Sequence, residues 1–342
     1  KTTDVYLVGI GNIGGELLKI IKNNPSDRLR IIAAASSKKM LLKSSGLKIS
    51  KIKHDLLSRG KLLSINQFLD YNTLSKNKKI FVDCTASESI AKKYTKIIDK
   101  GFSIVTASKI ANSIQQSYYN EIRNKIKSTN LNFHYETNVG AGLPVISTLK
   151  SLLLTGDQII KIEGVLSGTL SYLFSSFDGT IPFSTLVENA KERGFTEPDP
   201  REDLNGNDVA RKILIMARET GVKLNLSDIK TQNLVPEKIE RKSSVEEFLS
   251  GLKDFDQEFF KKLKNAKKKK KVLRYIGSWS KNSAKVGLQE VGSENPFYHQ
   301  KGRENFILFK TRRYNDIPLI IRGHGAGADV TAAGVLRDIQ LC

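Results

Sequence analysis

Apolar residues along the chain fall into two patterns, and the change from one to the other divides it. Val5 to Val8 form a short apolar run that meets Gly9-Ile10-Gly11-Asn12-Ile13-Gly14, after which Ile13, Leu17, Leu18, Ile20 and Ile21 recur at helical spacing. This reads as strand, tight turn and helix. Further apolar runs with polar ends occur at Ile31–Ala35, Ile80–Cys84, Ile104–Val105 and Leu131–Tyr135, separated by helix-length segments. Strands alternating with helices predict a parallel, doubly wound sheet. From Leu143 the pattern changes. Val145–Leu154 reads as a helix opened by Pro144, Ile159–Leu166 as a strand, and Ser184–Arg193 and Asp208–Thr220 as helices, the second closed by Gly221. Val272–Val291 and Phe306–Ile321 look strand-rich, and a helix over Val330–Leu341 follows the Gly-rich block Gly323 to Gly327. The expected organisation is an α/β domain over 1–141, rejoined by 322–342, and an α+β domain over 142–321.

Composition supports two cores. The chain has 342 residues, 39% hydrophobic and 27% charged, enough for two domains that each bury their own apolar surface. It lacks the run of about 18 apolar residues that a membrane-spanning helix needs. Two cysteines, Cys84 and Cys342, exclude a disulfide scaffold and a Cys-rich zinc site and suit a reducing, cytoplasmic compartment. The chain begins at Lys1, without Met, and enters a strand almost at once, as expected of a segment of something longer or a trimmed chain without a signal peptide. The net charge is +21, from 56 Lys plus Arg against 35 Asp plus Glu. The Lys residues are spread out and travel with Ile and Asn; the one dense run, Lys261 to Lys271, reads as a solvated helix end and loop. No nucleic-acid-binding signature accompanies the charge, so no specific nucleic-acid partner is expected.

The Gly9 to Gly14 turn carries the first chemistry. Gly9 permits the sharp turn, Gly11 lets a pyrophosphate approach the backbone, and Gly14 lets helix and strand pack closely. The helix N-terminus, with Asn12 and Ile13 in its first turn, attracts phosphate. The first domain is therefore a Rossmann-type doubly wound parallel sheet. An NAD-specific site places Asp or Glu at the end of the second strand, where this chain has Ala35-Ser36-Ser37-Lys38-Lys39. Ser37 and Lys38 would tolerate or attract a 2′-phosphate, so NADP is the expected cofactor, with NAD also admitted.

The segment from Gly194 to Lys212 packs acids, Pro and Gly into a loop before a helix. Asp208 and Lys212 lie four apart and share one helix face, while Val209, Ile213, Met216 and Ala217 form the buried stripe. With Glu197 and Asp203 this gives one Lys and three carboxylates around a cleft; a solvated turn with a surface ion pair is the plain alternative. Oxidising an alcohol requires removal of its hydroxyl proton, and a partly desolvated Lys can do that near neutral pH. The carboxylates can hold an amino substrate.

Gly194 to Lys212 resembles the signature of homoserine dehydrogenases, and nearly the whole chain is similar to the C-terminal part of bacterial bifunctional aspartokinase/homoserine dehydrogenases. The matching pieces are the Gly9 to Gly14 turn, Asp83-Cys84-Thr85-Ala86-Ser87, Val105-Thr106-Ala107-Ser108-Lys109, Asn138 to Pro144, Leu166 to Tyr172, and Gly325-Ala326-Gly327 with Val330 to Val335. The resemblance implies reversible, NAD(P)-linked interconversion of L-homoserine and L-aspartate 4-semialdehyde on the threonine and methionine branch. It makes Lys212 the acid/base group with Asp203 beside it, puts Glu197, Asp208, Gly194 and Thr169 at the substrate, and sets Lys109 where cofactor and substrate meet. Thr85, Ala86 and Gly327 fall at cofactor positions. Glu136, Val139, Ala141 and Leu143 match a site where mostly backbone carbonyls bind a sodium-like monovalent cation. Ala107 and Ser108 depart from the family's usual Pro and Asn. The aspartokinase half is absent from this chain, and family precedent favours a homodimer built from the second domain. The rivals are a related semialdehyde dehydrogenase, which needs a nucleophilic Cys and a general-base His, and a decayed cofactor-binding regulatory module.

Overall fold

The computed structural model describes residues 2–72, 75–281 and 283–342. The chain divides into two units, one formed by residues up to Gly142 together with Gly327–Cys342, the other by Leu143–Ala326.

The apolar runs of the first unit become a sheet of seven strands: β1 (Thr3–Val8), β2 (Leu29–Ala35), β3 (Lys39–Leu42), β4 (Lys61–Leu62), β5 (Lys78–Asp83), β6 (Ser103–Thr106) and β7 (Phe133–His134). Their order is β4-β3-β2-β1-β5-β6-β7. β1 pairs in parallel with β2 and β5, β5 with β6, and β6 with β7. Val5, Leu7, Ile32, Ala34, Val82 and Val105 are all buried, as strands covered on both faces must be. The sequence predicts parallel strands throughout, whereas β3 and β4 run antiparallel at one edge. The cause is local. Ser36 N donates to Lys39 O at 2.9 Å, and Ser36 Oγ accepts from Lys39 N at 3.1 Å, closing a turn too short for the helical crossover that a parallel partner requires.

The helix Asn12–Asn23 buries Leu17, Leu18 and Ile21 in one cluster with Ala332, Val335 and Ile339 of the terminal helix, Ala328–Leu341. A Cβ at Gly334 would lie 2.6 Å from Thr137 Cγ2, so the terminal helix needs its small residue there to approach the 137–142 loop. The chain rejoins this unit at Gly327 rather than at residue 322, because the strand over Leu319–His324 stays paired in the other sheet.

In the second unit β8 (Ile159–Val165), β9 (Lys230–Thr231), β10 (Val272–Ser280), β11 (Ser283–Val291), β12 (Glu304–Thr311) and β13 (Leu319–His324) form a sheet ordered β13-β12-β8-β10-β11-β9. Its pairings are antiparallel except β9 with β11. The helix Asn207–Glu219 lies close on β10: a Cβ at Gly277 would come within 2.6 Å of Ile213 Cγ1. Phe183 stacks on Phe259 with centroids 3.9 Å apart, joining two further helices, Phe183–Glu192 and Asp256–Lys268. The Lys-rich run rides the exposed flank of the second of these, with Phe259, Leu263 and Ala266 facing inward. Among the described residues no helix is long and apolar enough to cross a membrane.

Candidate functional site

In the first unit the β1 turn is shaped by what it excludes. Gly9 has φ +91°, and a Cβ on it would sit 2.8 Å from the Cys84 backbone; a Cβ at Gly14 would fall 1.9 Å from Gly9 O. Gly11 differs, since its Cβ would meet nothing within 4 Å. It is the N-cap of the helix Asn12–Asn23, no side chain caps that end, and no acid stands in the first turn. Open space, uncapped amides around Asn12 and Ile13 and a positive helix end together fit a pyrophosphate. Ser37 and Lys38 form the exposed tip of the β2–β3 turn, with no carboxylate among residues 35–39.

Behind this turn lies a buried polar chain that the sequence does not announce. Asp83, fully buried, accepts from Thr85 N at 2.8 Å and Thr85 Oγ1 at 2.7 Å on one oxygen and from Tyr94 Oη at 2.6 Å on the other. Burial raises its carboxyl above the ordinary range, and those hydrogen bonds oppose the rise. Thr85 and Ala86 are thereby fixed at the end of β5. Thr106 Oγ1, 2.7 Å from Tyr94 Oη, accepts from Ser108 N at 2.9 Å, and Asn138 Nδ2 donates to Thr106 O at 3.0 Å. The turn before Lys109 is thus closed with Ala107 and Ser108 in place of Pro and Asn. Lys109 caps the short helix Ile110–Ser113. Burial also pushes the Cys84 thiol up, with Asp83 adding to the effect; a thiol held protonated is a poor nucleophile, which counts against the semialdehyde dehydrogenase chemistry.

Of the residues matched to a cation, Glu136 is buried, with Arg337 Nη1 2.6 Å from its carboxylate and Asp338 Oδ2 accepting from its amide at 2.9 Å. Val139 is buried, and Gly140 and Ala141 take left-handed φ values of +77° and +53°. In the second unit Leu143 O accepts from Val145 N at 2.8 Å. Among the described residues no group of three or more His, Cys, Asp or Glu could hold a metal ion. Gly327 precedes the terminal helix at φ +136°.

In the second unit the candidate residues converge on one turn, Leu166 to Thr169, between β8 and the helix Gly168–Ser176. Lys212, with its side chain 10% exposed, donates to Leu166 O at 2.7 Å and lies 2.7 Å from Asp208 Oδ2. Gly206, left-handed at φ +75°, starts the helix that carries both, and a Cβ there would overlap Tyr275 Oη at 1.9 Å. An ammonium has three donors; two are occupied, which leaves one for a substrate oxygen. The sequence sets Asp203 beside the Lys. Its oxygens accept from Thr169 Oγ1 at 2.7 Å and Glu197 N at 2.8 Å, which fixes the backbone at Glu197. Burial raises the Asp203 carboxyl, the two hydrogen bonds oppose this, and the nearby Glu197 and Asp208 charges add to it. Thr169 Oγ1 is also 2.6 Å from Phe195 O. Gly194, left-handed at φ +67° with nothing within 4 Å of a Cβ, turns the chain out of the preceding helix and leaves Glu197 exposed.

Two residues at this turn escape motif reading. Asn305, fully buried, reaches Leu166 O and Gly325 O at 3.4 Å each. Arg303 packs against Gly168 and stands over the Phe195 ring, 4.5 Å from its centroid. Both come from the β12 end, more than 130 residues from Leu166, where no local pattern flags them.

The chain is similar to known proteins along nearly its whole length. Residues 144–340 match the homoserine dehydrogenase family, and residues 9–136 match its NAD-binding domain. A homoserine dehydrogenase from Schizosaccharomyces pombe is 40% identical over 98% of this chain and 94% of its own. The bifunctional aspartokinase/homoserine dehydrogenase of Haemophilus influenzae is 42% identical over 99% of this chain, which spans only 42% of that protein's length. A crystal structure of a protein of unknown function from Candida auris superposes with a TM-score of 0.93 at 36% identity, covering 100% of this chain and 98% of its own. A hyperthermophilic archaeal homoserine dehydrogenase in complex with NADPH shares the fold, with a TM-score of 0.76 at 20% identity, over 99% of this chain and 97% of its own.

Proposed function

The chain belongs to the homoserine dehydrogenase family, and from that premise we propose that it interconverts L-homoserine and L-aspartate 4-semialdehyde with NADP, Lys212 moving the hydroxyl proton. The observation that carries this reading is the Lys212 ammonium, held by Leu166 O and Asp208 with one donor left over. In the oxidation direction the neutral amine takes the proton from the substrate hydroxyl as the carbonyl forms; in reduction the ammonium returns it to the alkoxide oxygen. Glu197 and Asp208 hold the substrate ammonium, and Asp203 holds Glu197 through its backbone. A bound nicotinamide supplies the two-electron exchange at the substrate carbon.

The residues of the first unit fit that group: the open space above Gly11, the uncapped helix end and the Ser37–Lys38 tip would hold its phosphates, and the missing carboxylate after β2 is what favours a 2′-phosphate over a bare ribose. A sodium-like cation bound to backbone carbonyls of residues 136–143 belongs to the same proposal, supported by the family resemblance and by the left-handed backbone at Gly140 and Ala141; Glu136, paired with Arg337, would offer its carbonyl. Exchanging sodium for tetramethylammonium should then lower activity. Family resemblance likewise supports a homodimer through the second unit, which sedimentation would test. Because the chain spans 42% of its bifunctional relative, the activity is assayed on this chain as it stands. Homoserine-dependent reduction of NADP at alkaline pH is expected; none in the presence of added alkali cation would reject the reading.

A further inference from the structure

An amino acid substrate carries a carboxylate as well as an ammonium, and the second unit's acids, Glu197, Asp203 and Asp208, provide only for the ammonium. Several of its cations are committed. Lys212 is taken by Leu166 O and Asp208, Arg201 by Asp199, Arg322 by Glu304, and Arg193 donates to Tyr172 Oη at 3.3 Å. Arg303 stands apart from these. Its guanidinium makes no ion pair or hydrogen bond with another described residue, yet it lies over Phe195, two residues before Glu197, and against Gly168, two residues after the carbonyl that holds Lys212.

We infer that Arg303 is the specificity-determining residue that receives the substrate α-carboxylate in this chain. This rests on the proposed homoserine reading and names the part of the site that selects an α-amino acid over a plain amino alcohol. The guanidinium sits over the Phe195 ring on an exposed residue, so its N–H donors are open to a two-pronged grip on a carboxylate. The backbone beneath it is held too. The buried Arg274 donates to the carbonyls of Phe297, Tyr298 and Gln300, and Gly302 N donates to Ser175 Oγ at 3.1 Å, so the segment entering β12 is pinned before it reaches Arg303. Homoserine carries its hydroxyl on one end of a three-carbon chain and both its ammonium and its carboxylate on the other. Glu197 and Arg303 both stand at the Phe195 loop that Thr169 holds, for the end with two charged groups, and Lys212 is held by Leu166 O, for the hydroxyl end.

The test compares L-homoserine with 3-aminopropan-1-ol, the same amino alcohol without its carboxylate, in the full chain and its Arg303→Met and Arg303→Lys variants. A charged hydrogen-bonded contact of this kind is worth about ten- to a hundredfold in binding. Arg303→Met should raise the homoserine KM by about that factor with kcat within about twofold, leave kcat/KM for 3-aminopropan-1-ol nearly unchanged, and so shrink the preference for homoserine; Arg303→Lys should fall between. A homoserine KM within twofold of wild type, or an equal loss on both substrates from disturbed packing on Phe195, overturns the assignment. Wild-type chain that turns over neither substrate overturns the functional reading itself, a different result from an active enzyme indifferent to Arg303.

Discussion

Two turns, each leading from a strand into a helix, organise the two units, and they do so by opposite means. The Gly9–Gly14 turn is built from one continuous stretch and works through backbone: its glycines remove side chains, and the ligand surface is amide and open space. The Leu166–Thr169 turn gathers Asp203, Asp208 and Lys212 from about 40 residues downstream and Arg303 and Asn305 from the far end of the unit, and works through side chains aimed at its carbonyls and hydroxyl. Holding phosphate needs only donors in a fixed nest. Moving a proton needs a titratable group whose orientation is imposed from several sides at once.

The largest effects should come from closing the space that either turn needs. Gly14→Ala and Gly206→Ala, whose methyl groups would meet Gly9 O and Tyr275 Oη at 1.9 Å, should each lose about 4 kcal/mol or more of stability in denaturant titration, or fail to fold. The paired controls separate packing from conformation. Gly11→Ala meets nothing, so it should keep its melting temperature and bind NADPH more weakly; Gly194→Ala has room but a left-handed φ and should cost about 1 kcal/mol. Equal losses at Gly14 and Gly11 would erase the distinction between a packing glycine and a ligand-facing one.

Next comes Asp203. Asp203→Ala leaves the Glu197 amide and the Thr169 hydroxyl without this acceptor and should cost about 1–3 kcal/mol and raise the homoserine KM. Asp203→Asn keeps an acceptor for the amide, and the Thr169 hydroxyl can turn to Phe195 O, 2.6 Å away. Because burial raises the Asp203 carboxyl, the folded chain holds that proton more tightly than the unfolded one. The resulting stability is present below about pH 4, the unfolded value, and fades as pH rises through the folded value. The Asp203→Asn chain should therefore gain on wild type between pH 4 and pH 8. A constant difference across that range would mean the carboxyl is not raised. The smallest effect is expected at the cofactor tip, where Ser37→Asp should shift the ratio of kcat/KM toward NAD by about tenfold, or 1.4 kcal/mol, by repelling a 2′-phosphate.

The contrast between the turns also explains what could be read in advance. Gly9, Gly11 and Gly14 sit within six residues of one another and between a strand and a helix, so their pattern is local and visible. Asp208 and Lys212 are visible for the same reason, being one helical turn apart. Asp203 is visible as an acid near a Lys but not in its contacts, since which donors its oxygens meet depends on the fold bringing Thr169 to it. Arg303 and Asn305 reach the turn only because β12 lies beside β8 in the sheet, a pairing that periodicity does not encode. The β3–β4 edge went unread because a four-residue polar turn and two short strands leave too little apolar pattern to register.

The most direct test of the account is Lys212→Met, measured in both reaction directions alongside NADPH binding by fluorescence. General acid–base catalysis contributes about 10²- to 10⁴-fold. The account therefore predicts that kcat for homoserine oxidation and for semialdehyde reduction falls by at least that range while the NADPH Kd stays within about twofold. A Lys212→Met chain that keeps more than about a tenth of wild-type kcat would show that the proton travels by another group, and Lys109 would become the residue to examine.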